Sequence, residues 1–308
     1  MKSYDFHHLK HVKEQQKSKK TLWITLALTL FFTLVEIVGG LIANSLALLS
    51  DSAHMMSDVL ALGLSITAIY MATKNATQKY TFGFLRFEIL ASFLNGLALI
   101  IISLGIFVEG IKRIISPRDV DLTFMFIVAS IGLLVNIILT IVLVRSTRAE
   151  NNLNIKSALW HFIGDLLNSI GVILSGIFIY FTNSSVFDPI ISLIIGGVIF
   201  VGGAKIIHES FLILMEAVPK KYNLEIIRED INKMDGVKDV HELHLWTITT
   251  DHYSFTAHIF IQENYEPYRL ISEINKLLKD KYELEHTTVQ IENPVINNHG
   301  QYGKNFII

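Results

Sequence analysis

The chain has 308 residues, 51% of them hydrophobic and 18% charged, with a mean hydropathy of +0.45. A soluble domain of this size is less apolar, so several membrane-spanning segments are expected. A net charge of −2 with no basic domain argues against a nucleic-acid partner. The lack of cysteine excludes disulfides, thiolate metal sites and cysteine nucleophiles.

Residues 1–20 form a polar tail with Lys2, Lys10, Lys13, Lys17, Lys19 and Lys20, and with His7, His8 and His11 among them. The tail reads as a solvated segment held near anionic lipid, whose histidines offer metal capture. The apolar run that follows is longer than a signal-peptide core and lacks a small-residue cleavage pattern, so it reads as a retained first span. Six runs are long enough to cross a bilayer, at roughly 22–43, 46–72, 87–111, 122–145, 158–181 and 190–215. Asn44-Ser45 leaves only a tight turn between the first two, Pro117 separates the third from the fourth, and Asp188-Pro189 opens the sixth.

Six spans put both termini on one side. Lys and Arg concentrate in the tail, in the loops holding Lys74, Lys79 and Arg86 and then Arg145, Arg148 and Lys156, and at Lys220 and Lys221. The other side has Lys112, Arg113 and Arg118, diluted by Asp119 and Asp121. The positive-inside rule therefore puts both termini in the cytoplasm. After Pro219 the pattern changes to a helix over 223–234, a strand pair over 237–248 and 253–262 around Thr249-Thr250-Asp251-His252, a helix over 267–281 and a strand over 286–292. The order α-β-β-α-β predicts a small cytosolic α+β domain of ferredoxin-like kind, with helices on one face of a sheet. The expected divisions are a tail over 1–20, a transmembrane domain over 21–217, a cytosolic domain over 218–294 and a loose tail over 295–308.

Two four-residue spacings carry the chemistry: His54-Met-Met-Ser-Asp58 in the second span and His161-Phe-Ile-Gly-Asp165 in the fifth. Residues i and i+4 of a helix lie one above the other, so each pair directs an imidazole and a carboxylate toward one point. Two facing pairs supply two nitrogens and two oxygens, a tetrahedral set for Zn²⁺, and two carboxylates cancel the ion's charge where water is scarce. An ionisable side chain in hydrocarbon costs at least about 2.5–3.5 kcal/mol, so two equal pairs in different spans argue for a shared site over two isolated ion pairs. Asp51 continues the polar stripe in the second span, and Ser157 and Asn168 do so in the fifth. Gly164 offers a close helix approach beside the ligands, and Glu36, Asn95 and Asn136 offer interhelical hydrogen bonds. Metal binding needs neutral histidine and ionised aspartate, so it releases protons. A site at membrane depth that exchanges protons for Zn²⁺ is the core of an antiporter.

Here the chain resembles the cation diffusion facilitator family, of the cobalt-zinc-cadmium efflux type. The resemblance rests on the stretch from Asn44 through His54 to Asp58, on Tyr80-Thr-Phe-Gly83 with Arg86 and Glu88, and on Glu109 to Arg113 with Pro117. It continues through His161-Phe-Ile-Gly-Asp165, Asp188-Pro189, Val240-His241-Glu-Leu-His-Leu-Trp246 and Gln290-Ile-Glu292. It implies a homodimeric zinc/proton antiporter of the cell membrane with six spans per protomer, transporting Zn²⁺ through His54, Asp58, His161 and Asp165. Cd²⁺ and Co²⁺ are further candidate substrates, oxygen-preferring Mn²⁺ is disfavoured, and no organic cofactor is expected. A metallochaperone-like cytosolic domain would pair across the dimer and bind regulatory zinc. The resemblance also suggests an interlock between Arg86 and Met215-Glu216. One departure is that residues 73–86 hold no histidine, aspartate or glutamate, which argues against a metal site in that loop.

Within the cytosolic domain, a hairpin centred at 250–251 puts His258 opposite Leu243, with His241 as its diagonal neighbour on the same face and His244 on the other. Glu292 and His286, from the third strand, complete the expected site, and His252 at the turn tip is a candidate for a second ion with the tail histidines. His241-Glu-Leu-His244 is one residue short of a zinc-protease motif and lies on a strand. With no nucleophile or water-activating glutamate beside a histidine pair, the chain does not read as an enzyme. The competing reading is a membrane-bound zinc sensor or scaffold that binds metal without moving it.

Overall fold

The computed structural model describes residues 26–72, 74, 76–147, 153–249, 251–263 and 265–292. The histidine-bearing tail and the segment from residue 293 onward lie outside the described residues. Six long helices come first: α1 (Leu26–Ala43), α2 (Leu46–Ala72), α3 (Phe87–Ile115), α4 (Leu122–Thr147), α5 (Leu153–Thr182) and α6 (Phe187–Leu214). Then follow α7 (Leu224–Asn232), β1 (Val237–Thr249), β2 (His252–Ile261), α8 (Pro267–Tyr282) and β3 (His286–Glu292). The described residues fall in two compact units, one within Met1–Thr73 and Ala91–Ile207 and the other within Lys74–Leu90 and His208–Ile308.

Four helical stretches among the described residues are long and apolar enough to cross a membrane: Leu26–Ala43, Phe87–Ile115, Gly164–Thr182 and Phe187–Leu214. Helix α2 has the length but is diluted by Ser50, Asp51, Ser52, His54, Ser57 and Asp58, while the described apolar part of α4 ends at Ile137. Phe31, Leu34, Val38 and Leu41 of α1 are exposed at helical spacing, as suits a face toward lipid. Helices α3 and α6 approach backbone to backbone, since a Cβ on Gly96 would lie 3.1 Å from the Gly203 carbonyl oxygen. Gly164 does not play the role expected of it. It is exposed, and a Cβ added there meets nothing within 4 Å among the described residues.

The start of α2 is held by an acidic side chain from a distant part of the chain. Only Asn44 and Ser45 separate α1 from α2, with Asn44 in the left-handed region at φ 50°. Asp188, in the first turn of α6 and fully buried, accepts from Ser45 Oγ at 2.5 Å, from Leu46 N at 2.6 Å and from Ala47 N at 3.2 Å. These backbone amides have no partner within the helix, and a carboxylate also suits the positive end of the helix dipole. Arg113 donates to the Asn44 carbonyl at 2.6 Å and lies 4.0 Å from Asp188. The effect is to fix the axis and rotation of the helix that carries His54 and Asp58.

The second unit has the expected α-β-β-α-β order. β1 and β2 are antiparallel, β2 and β3 parallel, and β2 is central. Ile227 and Ile231 of α7 and Leu270, Ile274 and Leu278 of α8 pack against Leu243, Leu245, Phe255, Ala257 and Ile259 of the sheet. Asp230 ties α7 to α8 by accepting from Lys281 and Tyr282, and those hydrogen bonds hold its carboxyl below the usual carboxylate range. Residues 74–90 cluster with this unit through Arg86 Nη2 on Glu216 Oε1 at 2.7 Å, Thr249 Oγ1 on Glu88 Oε2 at 2.5 Å, and Phe82 edge-on to His286.

Candidate metal centres

In the first unit, α2 packs against α5 and brings three of the four paired residues together. His54 Nδ1 lies 3.5 Å from Asp58 Oδ2, one helical turn along, and 3.7 Å from Asp165 Oδ1 on α5. Ligand atoms about 2.1 Å from a tetrahedral Zn²⁺ stand roughly 3.4 Å apart, so these atoms are close to the edges of such a site. The backbone of His161 lies on α5 one turn before Asp165, but its side chain is outside the described residues. Around the trio, Asp51 is buried, and Asn136 donates to Ser169 Oγ at 3.2 Å. Asn95 donates to Ser57 Oγ at 3.4 Å, giving the expected interhelical bond. Glu36 departs from that expectation. It is buried, and its Oε2 has no hydrogen-bond partner among the described residues.

A second cluster lies on the sheet of the other unit. Glu292 Oε2 is 3.2 Å from His241 Nε2, and Glu292 Oε1 is 2.8 Å from His258 Nδ1, so one carboxylate spans both imidazoles. The register differs from the sequence expectation. His258 stands directly opposite His241, not opposite Leu243. Between the turn and His241, β1 has irregularities at Thr247/Thr249 and at His241/His244, and each extra residue slides the pairing by one. Phe260 stacks on the His241 ring at 4.6 Å, which fixes the ring plane.

The second irregularity also reorients Glu242, which regular alternation would put on the face opposite His241. Val240, Leu243 and Leu245 are buried, whereas His241 and Glu242 are both only partly buried, so two consecutive residues leave the core side. Glu242 has φ 48° and its Oε2 lies 3.6 Å from His258 Nδ1. A residue with a Cβ in the left-handed region costs roughly 1–2 kcal/mol, which marks the position as one the surroundings enforce. No signal in the sequence distinguishes this bulge from a regular strand.

The remaining expected ligands stand apart. His286 pairs in register with Ser254, while His258 pairs with Gln290, four residues further along, or about 13 Å. Its ring instead meets Phe82. His244 is exposed opposite Thr256, and His252 is exposed at the start of β2. The expected partners of His252, the tail histidines, lie outside the described residues.

Comparison with known proteins agrees with both units. Residues 22–215 match the cation efflux transmembrane domain, and residues 219–294 match the cytoplasmic domain of cation efflux proteins. The cadmium, cobalt and zinc/H⁺-K⁺ antiporter of Bacillus subtilis is 36% identical over 293 residues, covering 93% of this chain and 93% of its own. The zinc transporter ZitB of Pectobacterium atrosepticum is 33% identical over 283 residues, covering 92% of this chain and 88% of its own. A solved structure, the metal-bound C-terminal domain of the CzcD transporter from Cupriavidus metallidurans, is 30% identical, covers 23% of this chain and 99% of its own, and superimposes with a TM-score of 0.22. With helices able to cross a membrane and two family domains in order over nearly its whole described length, the chain belongs to the cation efflux family of multi-pass membrane proteins.

Proposed function

We propose that the protein exports Zn²⁺ from the cytoplasm in exchange for protons, through a centre formed by His54, Asp58, His161 and Asp165. The observation that carries this reading is the meeting of His54, Asp58 and Asp165 within 4.8 Å of one another inside a helical membrane unit. His161 joins the set because it shares a helix face with Asp165 at i, i+4. Two imidazoles and two carboxylates bind Zn²⁺ or Cd²⁺ with no net charge left in the low-dielectric interior. Loading requires the carboxylates ionised and the imidazoles neutral, so protons that enter the emptied site oppose rebinding of metal. Relatives named as zinc, cadmium and cobalt transporters and antiporters support the choice of cargo and of coupling ion.

The same reading places six spans in the cell membrane with both termini cytoplasmic, following the Lys and Arg asymmetry of the loops. Residues 21–217 form the transport domain. Residues 218–294 form the cytosolic domain, which pairs two protomers and takes up regulatory zinc at His241, His258 and Glu292. The centre needs no organic cofactor and performs no covalent chemistry.

The direct test is uptake of ⁶⁵Zn²⁺ into proteoliposomes under an imposed pH gradient. Flux that follows the gradient and collapses with a protonophore is expected. Zinc binding without flux would favour a sensor that holds metal in place. His54→Asp replaces an imidazole with a harder oxygen donor and should shift the zinc-to-manganese flux ratio toward manganese by about tenfold. An unchanged ratio would place selectivity elsewhere.

A further inference from the structure

We infer that Glu242 is a zinc ligand of the cytosolic cluster, so that this centre is a four-ligand site of His241, Glu242, His258 and Glu292. The inference rests on the reading of His241, His258 and Glu292 as a zinc site, and adds a residue that strand alternation assigns to the opposite face. Three observations converge on it. The bulge between His241 and His244 turns Glu242 to the side of the sheet that carries His241. Its carboxylate oxygen stands 3.6 Å from His258 Nδ1, a spacing close to the roughly 3.4 Å edge of tetrahedral zinc coordination. And the position is held at φ 48° by a residue other than glycine, although glycine would make the same turn without steric conflict.

The charges support the same assignment. His241, His258 and Glu292 alone would leave a bound divalent ion with one uncompensated positive charge. His241, His258 and Glu292 group within 4.8 Å of one another and Glu242 reaches them at His258. Drawn in by a bound ion, it gives two neutral imidazoles and two carboxylates, the same donor set proposed for the transmembrane centre, and supplies the fourth position of a tetrahedral site. Glu292 is the buried anchor between the two rings, whereas Glu242 is partly exposed and enters from the outer edge. Asp239 lies 3.8 Å from His241 Nδ1, too far for a hydrogen bond.

The test uses the full chain in detergent, carrying Asp58→Ala to silence the transmembrane centre, with Zn²⁺ titrated against a chelator of known affinity. Glu242→Gln keeps the side-chain size and the backbone demand but removes the charge. Glu242→Gly removes the ligand while relieving the backbone. Both should weaken zinc binding at this site by about tenfold or more, and the zinc-free glycine variant should melt no lower than its parent. A residue present only to make the bulge predicts instead that the glycine variant keeps its zinc affinity. A loss of less than threefold in either variant overturns the assignment. His241→Ala is the reference. If it also leaves zinc binding unchanged, the cytosolic-site reading fails as a whole. If it removes a site that both Glu242 variants retain, only the role given to Glu242 fails.

Discussion

Asp165→Ala, reconstituted in proteoliposomes, is expected to carry no zinc above the leak of protein-free vesicles, a loss greater than roughly 100-fold. Outer residues that only orient a ligand cost about 10–100-fold, and a direct ligand costs more. In the proposed centre Asp165 also supplies half the negative charge that balances the ion, and it is the described link from α5 to the α2 pair, 3.7 Å from His54. Without it the divalent charge is half compensated in a medium that cannot solvate the remainder. The variant should still elute as a monodisperse species and melt within a few degrees of the native protein, because a smaller apolar side chain relieves a buried carboxylate of its desolvation cost. Asp58→Ala should behave in the same way. Zinc flux near the native rate in either variant would remove the transmembrane centre from the mechanism.

Asp188→Ala should instead act on the scaffold. It removes three hydrogen bonds to a fully buried carboxylate and leaves the first amides of α2 and the Ser45 hydroxyl without their acceptor. Arg113, itself almost wholly buried, also loses its nearby anion. Breaking a buried charged cluster from one side costs about 3–5 kcal/mol. For a unit of this size that lowers the melting midpoint by on the order of 10 °C. Asp188→Asn keeps an acceptor of the same shape and should lose less than half as much. Because α2 starts at this clamp and carries His54 and Asp58, zinc affinity should fall in parallel with stability. An alanine variant with unchanged melting would show that water or the rest of α2 satisfies those amides, and that the clamp does not position the centre.

Much of this architecture is legible from residue order because the signals are local. Apolar runs of bilayer length mark the long helices, and the helical period puts His54 above Asp58 without knowledge of any other helix. Alternation, turn residues and amphipathic periods mark α7, β1, β2, α8 and β3 within a few residues of their observed ends. The interhelical bonds of Asn95 and Asn136 follow from the cost of an unsatisfied amide in hydrocarbon. Glu36, with the same expectation, has its carboxylate oxygen in a different environment, because the partner of a buried polar group depends on which helix lies alongside.

The sequence by itself determined the two-part organisation, the strand and helix order of the C-terminal unit and the two His–Asp pairs at i, i+4, all set by periods of 2 and 3.6 residues and by the cost of charge in an apolar run. Tertiary structure alone decided that α5 lies against α2 and brings Asp165 to His54, since no local pattern says which helices are neighbours. It alone set Asp188 on the start of α2 across more than 140 residues of chain. It alone moved His258 from Leu243 to His241 and turned Glu242 outward, because each of two extra residues in β1 shifts every pairing beyond it by one while leaving the hydrophobic pattern on either side intact. It also separated His286 from the cluster of His241, His258 and Glu292, because a parallel third strand fixes which of its residues lies beside His258, and that residue is Gln290.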